Sequence, residues 1–221
     1  MINLEYSKHS IIAVRNATDE LFELSLERNK LEFMPGDCTA IYTADNKSRP
    51  YSIASGSNEN ELRFLIRKME GGEVSSWLMD RQPGEFVRIS PPFGWFRPGQ
   101  DIGDSPFVFI STGTGIAPFL SYQKTFSKPP AHCLYGVRHE ADAIGYVSLR
   151  DWCPSLLAIS REETETYHHG RVTDLLEQLP LSPETHYYCC GLESMINDVG
   201  TWLQNHDIPL MNIHREVFFH G

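Results

Sequence analysis

Apolar residues in the first hundred positions fall in short runs, at 11–14, 21–26, 38–42, 51–54, 62–66 and 86–89. Turn formers separate them: Pro35-Gly36-Asp37, Ser57-Asn58-Glu59-Asn60 and Pro83-Gly84. Short alternating runs at near-regular spacing predict antiparallel strands closed into a barrel or a sandwich. One helix is predicted over 73–80, where Val74, Trp77 and Leu78 share a face. Pro98-Gly99-Gln100-Asp101 and Gly103-Asp104 offer no periodic face, so a linker is expected there. Beyond it the rhythm lengthens. Apolar runs at 107–110, 133–137, 156–159, 187–190 and 212–218 alternate with helical stretches from Ala117 and over 141–149, 172–179 and 193–205. Strands alternating with helices need crossover connections, which predicts a parallel sheet with helices on both faces. Two domains are expected, 1–99 and 104–221.

Composition narrows the class. Hydrophobic residues make up 41% and charged residues 22%, which excludes a disordered or collagen-like chain. No apolar run approaches the roughly 20 residues that span a bilayer. Residues 1–5 show no basic stretch leading into an apolar one, so no secretory leader is expected. Nineteen basic against 29 acidic residues give a net charge of −10, which disfavours nucleic acid as a partner. The five cysteines, Cys38, Cys133, Cys153, Cys189 and Cys190, form no disulfide framework, and a reducing cytoplasm is the natural reading. Nor do they supply the closely spaced four that an iron–sulfur cluster takes, and no metal site is expected.

Three segments bear candidate chemistry. Arg49-Pro50-Tyr51-Ser52 combines a guanidinium fork suited to a diphosphate, a flat ring and a hydroxyl, although alone it also fits an edge strand with a surface arginine. Gly71-Gly72-Glu73-Val74-Ser75-Ser76 opens a short helix with backbone N–H groups facing outward, as an anion grip or simply as a turn with a serine cap. Ser111-Thr112-Gly113-Thr114-Gly115-Ile116-Ala117-Pro118 links an apolar strand to a helix, as dinucleotide-binding loops do, though its glycine spacing departs from the usual fingerprint.

In this order, Arg-x-Tyr-Ser, Gly-x-x-Ser, Pro91-Pro92-Phe93-Gly94-Trp95-Phe96 and Gly-Thr-Gly-Ile-Ala-Pro together resemble the ferredoxin–NADP reductase family. Leu134-Tyr135-Gly136-Val137-Arg138, Ser160-Arg161-Glu162, Tyr188-Cys189-Cys190-Gly191-Leu192 and Glu216-Val217-Phe218-Phe219 extend the likeness over nearly the whole chain. The resemblance implies a Greek-key antiparallel β-barrel that binds FAD, followed by a Rossmann-like α/β domain that binds NADP(H). It implies that Arg49 holds the flavin diphosphate, Tyr51 lies on the ring and Ser52 sits beside its reactive nitrogen. Ile66 and Arg67 would run beside the ribityl and adenine parts, and Gly72, Val74, Ser75 and Ser76 would grip the pyrophosphate. Gly113, Thr114, Gly115 and Pro118 would cradle the nicotinamide dinucleotide. Cys190 and Glu216 match the cysteine and carboxylate beside the reacting rings, so Ser52, Cys190 and Glu216 form the expected catalytic set. Phe218 would cover the second flavin face, and Phe219 would rest on the FAD adenine.

Coenzyme choice turns on one phosphate. By resemblance Ser160 and Arg161 bind the 2′-phosphate of NADP(H), Tyr167 stacks on adenine, and Arg138 and Arg171 add positive charge. Glu165 stands where plant-type members carry a lysine, and Glu162, Glu163 and Glu165 would instead suit a free ribose diol and NADH. The leading expectation is an NADPH-dependent flavoprotein, a cytoplasmic monomer exchanging single electrons with a separate ferredoxin or flavodoxin. An NADH-driven reductase component of an oxygenase system and a non-enzymatic flavin-binding relay subunit are the alternatives. Because such carriers are generally acidic, the partner would need a local basic patch, for which Arg63, Arg67 and Lys68 are the candidates.

Overall fold

A computed structural model describes residues 6–219. The first domain has six antiparallel strands: β1 Ser7–Asn16, β2 Leu21–Glu27, β3 Cys38–Tyr42, β4 Ser48–Ser52, β5 Glu61–Arg67 and β6 Phe86–Ile89. Their order in the sheet is β4-β3-β6-β1-β2-β5. Alternation puts Phe22, Leu24 and Leu26 of β2 and Leu62, Phe64 and Ile66 of β5 inside, all nearly inaccessible. Helix α1, Glu73–Met79, closes one end by burying Val74 and Leu78, with Trp77 packed beside them.

The run at 51–54 is not one strand. β4 ends at Ser52, and Ile53, whose N–H still bonds the Asp37 carbonyl at 3.0 Å, also bridges Phe64 on β5, while the Ala54 N–H donates to the Arg63 carbonyl at 2.7 Å. That single bridge joins the sheet's two edges. From Ser48 to Ser52 the edge of β4 faces β5 without a ladder, so the barrel is left with a gap there.

The second domain is a parallel sheet of β7 Phe107–Thr112, β8 His132–Val137, β9 Ser155–Ile159, β10 His168–His169, β11 His186–Leu192 and β12 Ile213–Phe219, ordered β10-β9-β8-β7-β11-β12. Successive residues of each strand face opposite ways. Phe107, Phe109, Tyr188 and Cys190 pack under α2 (Ala117–Thr125) and α3 (Tyr146–Arg150), whereas Val108, Ile110, Tyr187 and Cys189 pack under α4 (Glu193–Asn205) and the 3-10 turn Val172–Gln178. Helical layers therefore cover both faces, as the near-continuous apolar runs require.

Two predicted elements change form, and one strand was not predicted. The stretch at 172–179 is a 3-10 turn, started by an Arg171–Asp174 capping box. The helix expected over 141–149 breaks at Gly145, whose φ of +78° admits only a residue without a β-carbon at low cost, leaving a 3-10 turn Glu140–Asp142 and the short α3. The two-residue β10 has too little pattern to be foreseen.

The domains are packed together. Ser121 on α2 donates to the Ser55 carbonyl at 2.7 Å, Lys124 to the Ala54 carbonyl at 3.1 Å, and the Ser57 N–H to Thr125 Oγ1 at 2.9 Å. Ala54, Leu65 and Phe96 of the barrel side join the core beneath α2. No helix of the described residues is long and apolar enough to cross a membrane.

Candidate active site

The gap in the barrel lies between β4 and β5, with α1 following β5. Arg49 is exposed, and its guanidinium donates to the neighbouring Ser48 carbonyl at 2.9 Å. Tyr51 is half-buried against the barrel core, and burial pushes its phenol up to about 12 against the opposing pull of Arg49, so the ring stays neutral. A Lys47–Glu73 ion pair ties the β3–β4 hairpin to the first turn of α1, which brings Arg49 and residues 72–76 to one side. Ser75 accepts from the Met69 N–H at 3.2 Å and so fixes the turn, while Ser76 is half-exposed. An unpaired strand edge, a cation, a ring and the opening turn of a helix are the parts a dinucleotide such as FAD requires. Ile66 and Val74 contribute backbone only, since both side chains belong to the barrel core. Arg67 turns instead toward the second domain, pairing with Asp142 and Glu20 at 3.2 Å each.

Ser52 ends this gap at the seam between domains. Its hydroxyl lies 3.1 Å from the thiol of Cys38, its cross-strand partner, and that thiol donates to Glu216 Oε1 at 3.8 Å. Glu216 stands opposite Cys190 in the parallel β11–β12 ladder. Ser52, Cys190 and Glu216, one from the barrel and two from the last two strands of the second sheet, thus come together at the seam. Burial raises Glu216 to about 7; the Cys38 hydrogen bond and Arg97 pull it down, and Asp37 pushes it up. Its Oε2 is buried with no hydrogen-bond partner among the described residues. Burial, and then the charge of Glu216, push the Cys190 thiol well above its ordinary range, so it is a neutral packing group rather than a thiolate. A cavity of about 430 Å³ opens beside the seam, lined by Cys38, Phe93, Trp95, Arg97, His214 and Glu216. Phe218 is half-buried against the α2-side core. Phe219 ends β12, but its side chain lies outside the described residues.

Cys38, Asp37, Arg97 and His214 were absent from the sequence-derived set. Arg97 pairs with Asp37 at 2.8 Å, and His214 stacks on Tyr188 with ring centres 4.3 Å apart. None sits in a motif, and only the register of β3 against β4 and the domain contact bring them to the site.

The strand order reverses direction at β7, with β8 on one side and β11, much later in the chain, on the other. A switch point of this kind is where such sheets bind ligands. The loop after β7 is a 3-10 turn, Gly113–Ile116, leading into α2 with Pro118 in its first turn. Gly115 lies so close to β11 that a β-carbon would stand 2.4 Å from the Cys190 carbonyl oxygen. The Leu192 N–H donates to Thr112 Oγ1 at 3.0 Å, and the buried Tyr135 hydroxyl donates to the Gly113 carbonyl at 3.1 Å. The loop after β7, Cys190 and Glu216 are therefore held together along one side of the sheet.

Along the same sheet edge, Arg138, Ser160 and Arg161 follow β8 and β9, and Arg171 follows β10. Arg161 and Arg171 are exposed. Arg138 is 3.9 Å from Glu20. Ser160 donates to the Val137 carbonyl at 3.2 Å. Glu162 is engaged by the Glu140 N–H at 3.2 Å and by His139 at 3.3 Å. Tyr167 is half-buried on the α3 side, edge-on to Tyr146 with ring centres 5.7 Å apart.

Known proteins resemble this arrangement. The family described as oxidoreductase FAD-binding domain matches residues 8–97, and oxidoreductase NAD-binding domain matches 109–201. The toluate 1,2-dioxygenase electron transfer component of Pseudomonas putida is 27% identical over 95% of the chain, which spans 66% of that component's length. Ferredoxin–NADP reductase B of Sorangium cellulosum is 27% identical over 99% of the chain and 100% of its own. The crystal structure of a ferredoxin NADP+ reductase from Neisseria gonorrhoeae, with bound FAD and NADP, superposes with a TM-score of 0.86 at 20% identity, covering 97% of this chain and 99% of that one. With a gapped antiparallel barrel, a parallel sheet switching at β7, and two matched domain families covering most of its length, the chain belongs to the ferredoxin–NADP reductase-like family of FAD- and NAD(P)-dependent oxidoreductases.

Proposed function

We propose that the chain is an NADPH-dependent flavoprotein, a cytoplasmic monomer that exchanges single electrons with a separate ferredoxin or flavodoxin. Its domains would be 1–99 for FAD and 104–221 for the coenzyme. The observation that carries this reading is the meeting of Ser52, Cys190 and Glu216 at the mouth of both clefts. Bound FAD takes a hydride as an electron pair and releases the electrons singly.

The chain's own part is binding and placement. Arg49 and the turn at 72–76 would hold the diphosphate, Tyr51 would support the ring, and Ser52 would offer a hydroxyl to it. Gly113, Thr114, Gly115 and Pro118 would seat the pyridine dinucleotide, with Cys190 as a small neutral floor. Phe218, half-buried on β12, would cover the second face of the ring. Glu216, which burial raises to about 7, can hold or give up a proton there near neutral pH. Two electrons arriving with one proton make such a group useful.

The arginines after β8, β9 and β10 favour NADPH. Glu162, the acid nearest to them in sequence, already has its Oε2 engaged by the Glu140 N–H and His139, while Glu163 and Glu165 are exposed and leave the NADH reading to be tested. Arg161→Ala should raise the KM for NADPH tenfold or more, the equivalent of about 1.4 kcal/mol, and leave NADH little changed. An equal loss with both coenzymes would remove the NADPH assignment. The likeness to the toluate dioxygenase component supports a second reading, an NADH-driven reductase serving an oxygenase. Steady-state rates with the two coenzymes and an artificial acceptor separate the readings.

A further inference from the structure

Cys38 stands between two of the residues just assigned roles, and those roles do not use it. Its Cα pairs with Ser52 across the β3–β4 ladder, and its own N–H and carbonyl both bond to Phe93, at 2.7 and 2.9 Å. The side chain therefore starts from a point fixed on two sides. Its sulfur is 3.1 Å from Ser52 Oγ and 3.8 Å from Glu216 Oε1. Among the described residues Ser52 and Glu216 share no direct hydrogen bond, so the hydroxyl and the carboxyl are connected through sulfur.

We propose that Cys38 is a positioning residue that links Ser52 to Glu216 in one hydrogen-bonded chain and stabilises the ionised form of Glu216. The proposal deepens the function given above and rests on it. When Glu216 is a carboxylate, the thiol donates to Oε1 and Ser52 donates to the sulfur. When Glu216 is protonated the chain can run the other way, from carboxyl to sulfur to the Ser52 oxygen. Burial, and then the charge of Glu216, push the Cys38 thiol up to about 12, so it keeps its proton and remains a donor at neutral pH.

The surroundings make that donor matter. From the barrel, Cys38, Asp37 and Arg97 act on Glu216, and the charge of Arg97 is shared with Asp37 at 2.8 Å. From β11 comes the neutral Cys190, and on β12 the neighbours are His214 and Arg215. With Oε2 already lacking a partner, removing the thiol leaves the carboxylate short at both oxygens. A buried carboxylate with fewer donors holds its proton to higher pH. A cysteine serving only as small apolar filling would have no such effect.

Infrared titration of the full chain loaded with FAD tests this, reading the carbonyl stretch of protonated Glu216 identified by its loss in Glu216→Gln. Cys38→Ala should move the midpoint upward by about half a unit or more, and Cys38→Ser, which restores a donor, should bring it back. The S–H stretch of Cys38 in the unaltered protein should change frequency as Glu216 titrates. An unmoved midpoint in Cys38→Ala overturns the proposal, and so does an S–H band indifferent to Glu216, which decides the matter even where Cys38→Ala does not fold. Should these shifts appear while the loaded protein accepts no electrons from NADPH or NADH, the functional reading fails and the link through Cys38 stands.

Discussion

Glu216 sits where a carboxylate is costly, and its titration near pH 7 has consequences for stability as well as for chemistry. Because its folded-state pKa lies above the ordinary carboxyl value of 4.5, the stability it contributes is complete below about pH 4.5 and is lost as pH rises through about 7. His214 works in the opposite direction. Burial, reinforced by His186, lowers it from 6.5 to about 4, so its contribution is present above pH 6.5 and is lost on acidification through 4. Glu216→Gln should therefore stabilise the fold more at pH 8 than at pH 5, by at most the order of 3 kcal/mol for a pKa raised from 4.5 to about 7, seen as a larger rise in melting temperature at pH 8. It should also abolish a limb near pH 7 in the rate of coenzyme oxidation. Thermal melts at the two pH values check the first part, and identical pH dependence in variant and parent would show that Glu216 is not the titrating group. Nothing in the sequence alone marks this carboxyl as buried. It lies 178 positions from Cys38, and only the folded domains bring the two together.

At the level of elements, the strands were legible because period-2 runs and turn formers set them out plainly, and the helices over both faces followed from strand–helix alternation. What pattern does not encode is hydrogen-bond register. The identity of Cys38 as the partner of Ser52, the bridge from Ile53 to Phe64 on β5, and the gap along β4 all depend on register. The motifs located Ser52, Cys190 and Glu216 through resemblance, not through any periodicity. Loop geometry has its own logic at Gly115, which is needed for close approach rather than for an unusual φ. Gly115→Ala should cost roughly 1–3 kcal/mol by forcing the loop off the Cys190 carbonyl, and should weaken coenzyme binding in calorimetric titration. Unchanged stability and affinity would show that the loop yields freely at this point.

Across the whole molecule, the seam is held by polar contacts that the charge count hides. Arg67 is 13% exposed and Asp142 4%, and their 3.2 Å contact spans the two domains without good hydrogen-bond alignment at Asp142 Oδ2. The Tyr135 hydroxyl reaches both the Asp142 and Gly113 carbonyls, so the interdomain pair and the coenzyme loop share a support. Asp142→Ala should destabilise the chain by about 3 kcal/mol, the lower end for breaking a buried pair, because Glu20 keeps part of Arg67's charge paired. A loss below about 1 kcal/mol in denaturant unfolding would show that water already screens the pair. The same pairing changes the expected basic patch. Arg63 bonds Glu59 and Arg67 bonds Glu20 and Asp142, which leaves Lys68 as the exposed cation of the three. An acidic carrier would thus find less attraction there than the sequence suggested.

The most direct measurement is an anaerobic titration of the purified, FAD-reconstituted protein with NADPH, followed by visible absorption. Two clefts meeting at Ser52, Cys190 and Glu216 predict that the yellow colour bleaches with about one equivalent of coenzyme. A protein that takes up no flavin, or one whose flavin stays yellow with both NADPH and NADH, would contradict the assignment of the seam as the place of electron exchange.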